Sequence, residues 1–452
     1  MREGNEANGS AFRTVAEAIN WIVDRNAGGQ KPGLKRMEVF MERLGYPQRG
    51  LKFIHVAGTN GKGSTCAYLT EVLMRAGYRV GTFTSPYLEK FSDRIRMNGI
   101  NISDTDLLRL ANKVKPIADE IARSELKAPT MFELTTVIAI LYYGTIVHPD
   151  VVVWETGLGG RIDPTNVVIP LVSVITNVGH DHLDVLGDTL AQVAFEKAGI
   201  VKRGVPVVSA VEQPEALQVI ERVALERKST LYLMGREFRY EVVFSAEDRQ
   251  TFHFQGPFRR ISDVTITMNG EHQIKNAAVA LMALEVLRQY YALIIDDGPL
   301  YEAMADTKWP GRLELVSHRP RMLLDGAHNP EGAETLAAAL RSVYSYDKLH
   351  FMLGMLATKN HTGYLGHILP IVDTLVITEP EWRKKMEAAK LAELVNRLRQ
   401  KLDRDIEVVI EPDWRKALDE LKRRTGERDL AVVSGTLYLI SDVRSLMQSI
   451  RI

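Results

Sequence analysis

The sequence predicts an α/β protein: a doubly wound, mainly parallel sheet with a small antiparallel sheet, followed by a second α/β domain. Three observations predict it. From residue 51, short apolar runs that barely alternate are separated by stretches with helical spacing. That is the pattern of parallel strands buried on both faces and joined by helices. Residues 231–270 instead alternate apolar and polar residues between turn signals, which suits an antiparallel sheet. From about residue 320 the strand–helix alternation resumes.

In chain order, "LKFIHVAG" (51–58) is a strand and "STCAYLTEVLMRAG" (64–77) a helix, with Cys66, Leu69, Leu73 and Ala76 at helical spacing and Gly77 as its stop. "YRVGTFT" (78–84), "DVVVWE" (150–155) and "LVSVITN" (171–177) are further strands, and "FELTTVIAILYYGTIV" and "LAQVAFEKAGIV" are helices. "FRYEVVF", "TFHFQG" and "DVTITMNG" form the antiparallel sheet, and "HQIKNAAVALMALEVLRQ" returns to helix. "RMLLDGAHNP", "LHFMLGM", "DTLVITEP", "IEVVIEP" and "LAVVSG" are the strands of the second series. The expected domains are 1–305 and 306–452, divided near "ADTKWPGRLE" (305–314).

Composition narrows the function. Lys+Arg and Asp+Glu both number 57 in 452 residues, a balance that argues against broad nucleic-acid or anionic-membrane binding. Any phosphate is then met locally, by backbone amides and a few cations. The single cysteine, Cys66, allows no intrachain disulfide and favours a reducing compartment. The polar start "MREGNEANGSAF" lacks a signal-peptide core, and the longest apolar run (135–147) is too short to span a bilayer. A cytoplasmic protein is expected.

Chemistry-bearing residues gather at strand ends. "HVAGTNGKGST" (55–65) sits between a strand and a helix and looks like a phosphate loop, yet its spacing is not the usual G-x-x-x-x-G-K-[ST]. Its glycines let backbone N–H groups crowd an anion and Lys62 adds a full charge; alternatively it is a turn capped by Ser64. Ser85 in "TSPYL" either coordinates Mg²⁺ or starts a turn before Pro86. Glu133, in an otherwise apolar helix, is either paired or metal-bound, or else faces solvent at the helix start. Glu155 ends a strand before a Gly-rich loop carrying Arg161 and Asp163. His180, Asp181, His182 and Asp184 form either a metal or phosphate site or a structural loop. Lys197 is solvated unless the fold brings it to the cleft. Asp325 and His328 follow a strand of the second domain, and Arg259 and Arg312 are candidate anion or adenine contacts. The cleft between the domains is the natural site.

Together these stretches resemble the folylpolyglutamate synthases and bifunctional dihydrofolate synthases of the Mur ligase superfamily. "HVAGTNGKGST", "TSPYL" with "RIRMNG", "FELTT", "ETGLGGRIDPTN", "TNVGHDHLDVLG", "EKAGI", "GEHQIKNAAVAL", "WPGRLE", "LLDGAHNP" and "SGTLYLISDVR" occur in family order over nearly the whole chain. The resemblance implies a P-loop-type first domain, a Rossmann-like second domain and an ATP-dependent ligase that works through an acyl phosphate. It implies that Gly58, Thr59, Asn60, Gly61, Lys62, Gly63 and Ser64 cradle the triphosphate, and that Asn276, Arg312 and Asp325 contact the nucleotide. It implies Ser85, Glu133 and His182 as ligands of Mg²⁺, two ions in all, and matches Lys197 to a lysine often carbamylated in relatives. His328, Ser434 and Thr436 match the side that receives L-glutamate, and the loop 157–166, with Asp163, the side near a reduced folate.

Relatives usually carry Val at Thr156, Ala at Pro164, an apolar residue at His180, His at Tyr87 and Ser at Thr436. "LATKN" (356–360) replaces a common L-A-D-K-D, losing both acids around Lys359. The expectation is a monomeric ligase adding L-glutamate to tetrahydrofolate. Dihydrofolate synthase activity is the near alternative; a cell-wall Mur ligase and a non-ligating paralogue are more distant ones.

Overall fold

The computed structural model describes residues 11–25, 33–181 and 183–450. Eight strands make the first sheet: β1 (Phe53–Ala57), β2 (Val80–Phe83), β3 (Ile95–Met97), β4 (Ile100–Asn101), β5 (Val151–Glu155), β6 (Pro170–Ile175), β7 (Val207–Ser209) and β8 (Leu231–Leu233). Their order is β4-β3-β2-β5-β1-β6-β7-β8. From β2 to β8 the neighbours pair in parallel, while the β2–β3–β4 edge is antiparallel.

The apolar runs explain this arrangement. β1 and β5 are buried at every position, so both faces need cover. Helices Lys62–Arg75 and Glu271–Tyr291 cover one face, and Asp104–Arg123 and Met131–Tyr142 cover the other. The second sheet, β9 (Arg239–Ser245), β10 (Gln250–Gln255) and β11 (Arg260–Ile266), is antiparallel. Its Phe252 and Phe254 alternate inward and pack against helix Glu271–Tyr291.

The third sheet comprises β12 (Glu314–His318), β13 (Arg321–Leu324), β14 (Leu349–Leu353), β15 (Thr374–Glu379), β16 (Glu407–Asp413) and β17 (Leu430–Ser434). It runs β12-β13-β17-β14-β15-β16, parallel except at β12–β13. Helix Asp297–Asp306 still packs in the core of the first unit, and the third sheet opens at Glu314.

In an open parallel sheet, ligands bind at the carboxyl ends where neighbouring strands are wound in opposite directions. In the first sheet that point is β1, between β5 and β6; in the third it is β17, between β13 and β14. Hydrogen bonds from Asn60 to Asn329 and from His180 to Glu331 show that the two sets of strand-end loops face each other.

Candidate active site

The loop after β1 has a conformation that its glycines dictate. Gly61 has φ +81° and a Cβ there would come 2.3 Å from Asn276 Oδ1; Gly58, also at positive φ, leaves room for Thr176. The exit of β6 holds the loop open. Asn177 Oδ1 accepts from the N–H of Thr59 at 3.1 Å and of Asn60 at 2.8 Å, and Thr59 Oγ1 accepts from the Gly179 N–H at 2.9 Å. Lys62 Nζ donates to Gly58 O at 3.0 Å. Ser64 Oγ, buried, accepts from Gln273 Nε2 at 3.3 Å, and Asn276 Nδ2 donates to Gln273 Oε1 at 3.1 Å. A helix N-terminus, loop amides and a lysine thus converge on one anion site.

Beside it, β2 and β5 are parallel neighbours, and their ends bring Ser85 to Glu155: Glu155 Oε2 accepts from the Ser85 N–H at 2.9 Å. Burial pushes the Glu155 carboxyl up to about 7, although Lys62, the Ser85 N–H, Arg312 and Arg94 pull it down. Ser85, which carries a hydroxyl, and the buried Glu155 carboxylate both line the cavity, and hard oxygen donors of this kind are what Mg²⁺ takes; a cation would relieve the cost of ionising Glu155 there.

Glu133 is not part of this group, which corrects the sequence expectation. It is the third residue of helix Met131–Tyr142, where its Oε2 accepts from the Thr130 N–H at 2.7 Å in a capping box. Both its oxygens accept from Arg36 Nε at 2.9 Å. The cap turns the side chain back along its own helix and Arg36 neutralises it, which leaves Glu155 as the carboxylate beside Ser85. His182 lies outside the described residues.

Asp163 belongs to the Gly-rich loop after β5. Its Oδ1 accepts from the Thr165 N–H at 3.0 Å and its Oδ2 from the Leu158 N–H at 2.7 Å. Buried, it ties the Gly-rich loop to itself. Arg259 is spent elsewhere, pairing with Glu285 at 2.9 Å and with Asp297.

Lys197 does reach the cleft. It is buried in the wall of a cavity of about 370 Å³ that also takes in the loop 58–64, Asn276, Arg312, Asp325 and His328. Burial, then the charge of Lys62, brings its ammonium down to about 7 against the opposing pull of Asp181 and Asp163. A second cavity of about 320 Å³ meets the first at Ser85, Glu155 and Arg312, and Tyr87, Arg96 and Trp309 line it.

From the third sheet, Asp325 Oδ1 accepts from the Ala327 N–H at 2.9 Å and Oδ2 from the Leu313 N–H at 3.0 Å, fixing the loop after β13. His328 Nδ1 meets Gly326 O at 2.8 Å while its Nε2 stands 3.3 Å from Asp181 Oδ2. Lys359 Nζ donates to the other oxygen of Asp181 at 2.7 Å. The segment that looked weakened by its lost acids therefore places its lysine on the first domain. Ser434 Oγ is fully buried, accepting from Tyr364 Oη at 3.0 Å and donating to Ala327 O at 3.3 Å. Thr436, also buried, has its Oγ1 accepting from the Tyr438 N–H at 3.3 Å. Both order the β17 exit rather than reaching into the cleft.

This geometry has counterparts among known proteins. The Mur ligase middle domain matches residues 56–284, and the Mur ligase glutamate ligase domain matches residues 311–437. The dihydrofolate synthase/folylpolyglutamate synthase of Bacillus subtilis is 38% identical over 444 residues, covering 97% of this chain and 100% of the relative. The chain belongs to this family of Mur ligases. The ligase fold is also that of Mycobacterium tuberculosis folylpolyglutamate synthase complexed with ADP, with a TM-score of 0.86 at 28% identity, covering 96% of this chain and 98% of that one. Escherichia coli FolC in complex with DHPP and ADP gives 0.85 at 28% identity, over 97% and 99% of the two chains.

For this ligase, sequence reasoning missed Asn177, Gln273 and Asn329, which build the phosphate loop's surroundings, and Asp181 as a bridge between domains. Asn177 and Asp181 did carry a signal: both follow a mostly apolar, buried strand, where a polar residue points into the crevice. No comparable local signal marks Gln273, which a helix brings in from more than two hundred residues away.

Proposed function

We propose that the protein joins L-glutamate to a reduced folate at the expense of ATP, with 1–305 supplying the nucleotide side and 306–452 the amino-acid side. One observation carries this reading. A phosphate loop, the hydrogen-bonded Ser85 and Glu155, and the strand-end loops of a second α/β unit share one cleft. The relatives crystallised with ADP and with DHPP support a nucleotide and a pteridine acid as occupants.

In this reading a folate carboxylate oxygen attacks the γ-phosphorus, the bond to ADP breaks, and an acyl phosphate forms. The glutamate amine then attacks the acyl carbon, loses a proton, and inorganic phosphate leaves. The protein's work is positioning and charge neutralisation. The loop amides and Lys62 hold the phosphates, Arg312 adds charge from the linker side, and His328 and Lys359 close over the cleft through Asp181. Ser85 and Glu155 would hold Mg²⁺, which supplies charge neutralisation at the phosphates when bound. Lys197, brought down to about 7, has a neutral amine available to add carbon dioxide, as the family resemblance implies. The double name of the Bacillus subtilis relative supports dihydropteroate as a further acceptor.

Purified protein incubated with MgATP and L-glutamate should release phosphate when tetrahydrofolate is added and yield a product one glutamyl residue longer. Stimulation by dihydropteroate would add the second acceptor. Tight ATP binding without stimulation by either acceptor would overturn ligation.

A further inference from the structure

β1 reads Phe-Ile-His-Val-Ala, and its histidine breaks an otherwise apolar strand. His55 is fully buried on the face that also carries Phe53 and Ala57. Burial, then the charge of Lys202, brings its imidazole down to about 3, so the ring is neutral and donates from one nitrogen only. Its Nδ1 is enclosed and has no hydrogen-bond partner among the described residues. Valine or isoleucine would fill such a position without an orphaned nitrogen. The other ring nitrogen supplies the reason for a histidine: Nε2 stands 3.0 Å from Thr165 Oγ1.

The direction of that bond follows from its neighbour. Asp163 Oδ1 accepts from the Thr165 N–H at 3.0 Å and Oδ2 from the Leu158 N–H at 2.7 Å, and the Gly157 N–H also favours the ionised carboxylate. Thr165 Oγ1 donates its proton to Asp163 Oδ1. The hydroxyl is then left to accept from His55, which places the imidazole proton on Nε2 and leaves Nδ1 bare. One buried chain runs from His55 through Thr165 to Asp163, where the N–H groups of the Gly-rich loop meet it from the other side.

Both ends of this chain belong to the cleft. His55 stands three residues before Gly58, where the phosphate loop begins. Gly157 and Leu158 follow Glu155 at the end of β5 and line the nucleotide cavity beside that loop. β1 and β5 are parallel neighbours with His55 opposite Trp154, whose Nε1 donates to Thr165 O at 3.0 Å. Trp154 seats the backbone of the turn Pro164–Val167, and His55 orients the hydroxyl that Asp163 receives. We propose that His55 is a positioning residue: through Thr165 and Asp163 it keeps the cleft-lining residues Gly157 and Leu158 in register with the phosphate loop, and so aligns the site for phosphoryl transfer. Its kinetic consequence rests on the ligase reading; its geometry does not.

The test is a double-mutant cycle on His55→Leu and Thr165→Val, assayed with MgATP, L-glutamate and tetrahydrofolate. The dissociation constant of a non-hydrolysable ATP analogue is measured in parallel, and kcat is expressed per folded molecule. Each single variant should lower kcat about tenfold and leave the analogue's affinity within about twofold; the double variant should lose no more than the worse single. His55→Gln, which retains an N–H near the Nε2 position, and Thr165→Ser should each return kcat to within about threefold of wild type. Losses that multiply in the double variant, or conservative variants that rescue nothing, would overturn the assignment. So would a lowered melting temperature with full kcat per folded molecule, which is the mark of a structural role alone. Wild-type protein labelled with ¹⁵N-histidine gives a readout that no folding defect can disturb. His55 should hold its proton on Nε2 from about pH 5 to about pH 9, and a proton on Nδ1 or a titration in that window overturns the chain. Wild-type protein idle on both tetrahydrofolate and dihydropteroate would instead overturn the ligase reading, with the tautomer still read from the spectrum.

Discussion

Asn60 and Asn329 form a reciprocal amide pair across the cleft. Asn60 Nδ2 donates to Asn329 Oδ1 at 3.2 Å, and Asn329 Nδ2 donates to Asn60 Oδ1 at 3.1 Å. One residue belongs to the phosphate loop; the other caps helix Pro330–Ser342, where its Oδ1 also accepts from the Gly332 N–H at 2.8 Å. The phosphate loop and the first helix after β13 are thereby held in one register. Asn60→Ala and Asn329→Ser both cut the link while keeping a capping residue at 329, and each should reduce kcat about tenfold. Asn329→Ala should do the same and additionally destabilise the third-sheet unit by about 1 kcal/mol through the lost cap. Full kcat in Asn60→Ala would show that the pair is incidental to catalysis.

Lys62 Nζ rests on the carbonyl of Gly58, a position from which it can turn to a phosphate without rebuilding the loop. Lys62→Ala should lower the rate of phosphate release by about 10³-fold or more, since a preorganised cation at the transferred group is worth that much. Its melting temperature should stay close to wild type, because the amine's partners are carbonyls in a half-open loop. A variant that releases phosphate at close to the wild-type rate would remove Lys62 from the phosphoryl-transfer step.

Glu155 and Glu133 separate by what each loses. Glu155→Gln keeps the size and the Ser85 hydrogen bond but removes the carboxylate, so turnover should vanish while thermal unfolding is unchanged or improved in metal-free buffer. Glu133→Gln strands Arg36, a buried cation, and should cost about 3 kcal/mol of stability. Protein that remains folded should keep most of its activity per molecule. If instead Glu133→Gln is stable and its Mg²⁺ requirement rises sharply, the metal-ligand role returns to Glu133.

That pair also shows where the sequence stops being readable. The phosphate loop was legible because strand, glycines, lysine and helix are contiguous, and each constrains the next locally. The strand ends Ser85, Asp325 and His328 were legible for a topological reason: parallel sheets put such positions in the crevice. Glu133 and Glu155 look alike in the sequence, each acidic and beside an apolar run. They differ through Arg36, 97 residues from Glu133, which no periodicity reports. Asp163 poses a similar ambiguity, since a carboxylate in a Gly-rich loop can serve the loop's own N–H groups as readily as a ligand. The Asn60–Asn329 pair spans 269 residues and becomes visible only when both sheets are folded.

Lys197 ties the site to stability through pH. Its pKa in the folded chain is about 7, set first by burial and next by Lys62, against an ordinary 10.5. Between those two values the unfolded chain binds more protons than the folded one, so stability rises with pH across the window. Below about 7 both states hold the proton and the cost of a buried ammonium is felt in full; above 10.5 neither does and the cost is gone. Lys197→Met keeps the apolar stem and removes the charge. In Mg²⁺-free buffer purged of carbon dioxide, the variant should melt several degrees above wild type near pH 6.5, with the gap closing toward about pH 10. The same variant should lose ligase activity at every pH, because a Met can neither carry a carbamate nor place charge in the nucleotide cavity. A melting gap of equal size at both pH values would mean that packing, not ionisation, sets the cost at this position.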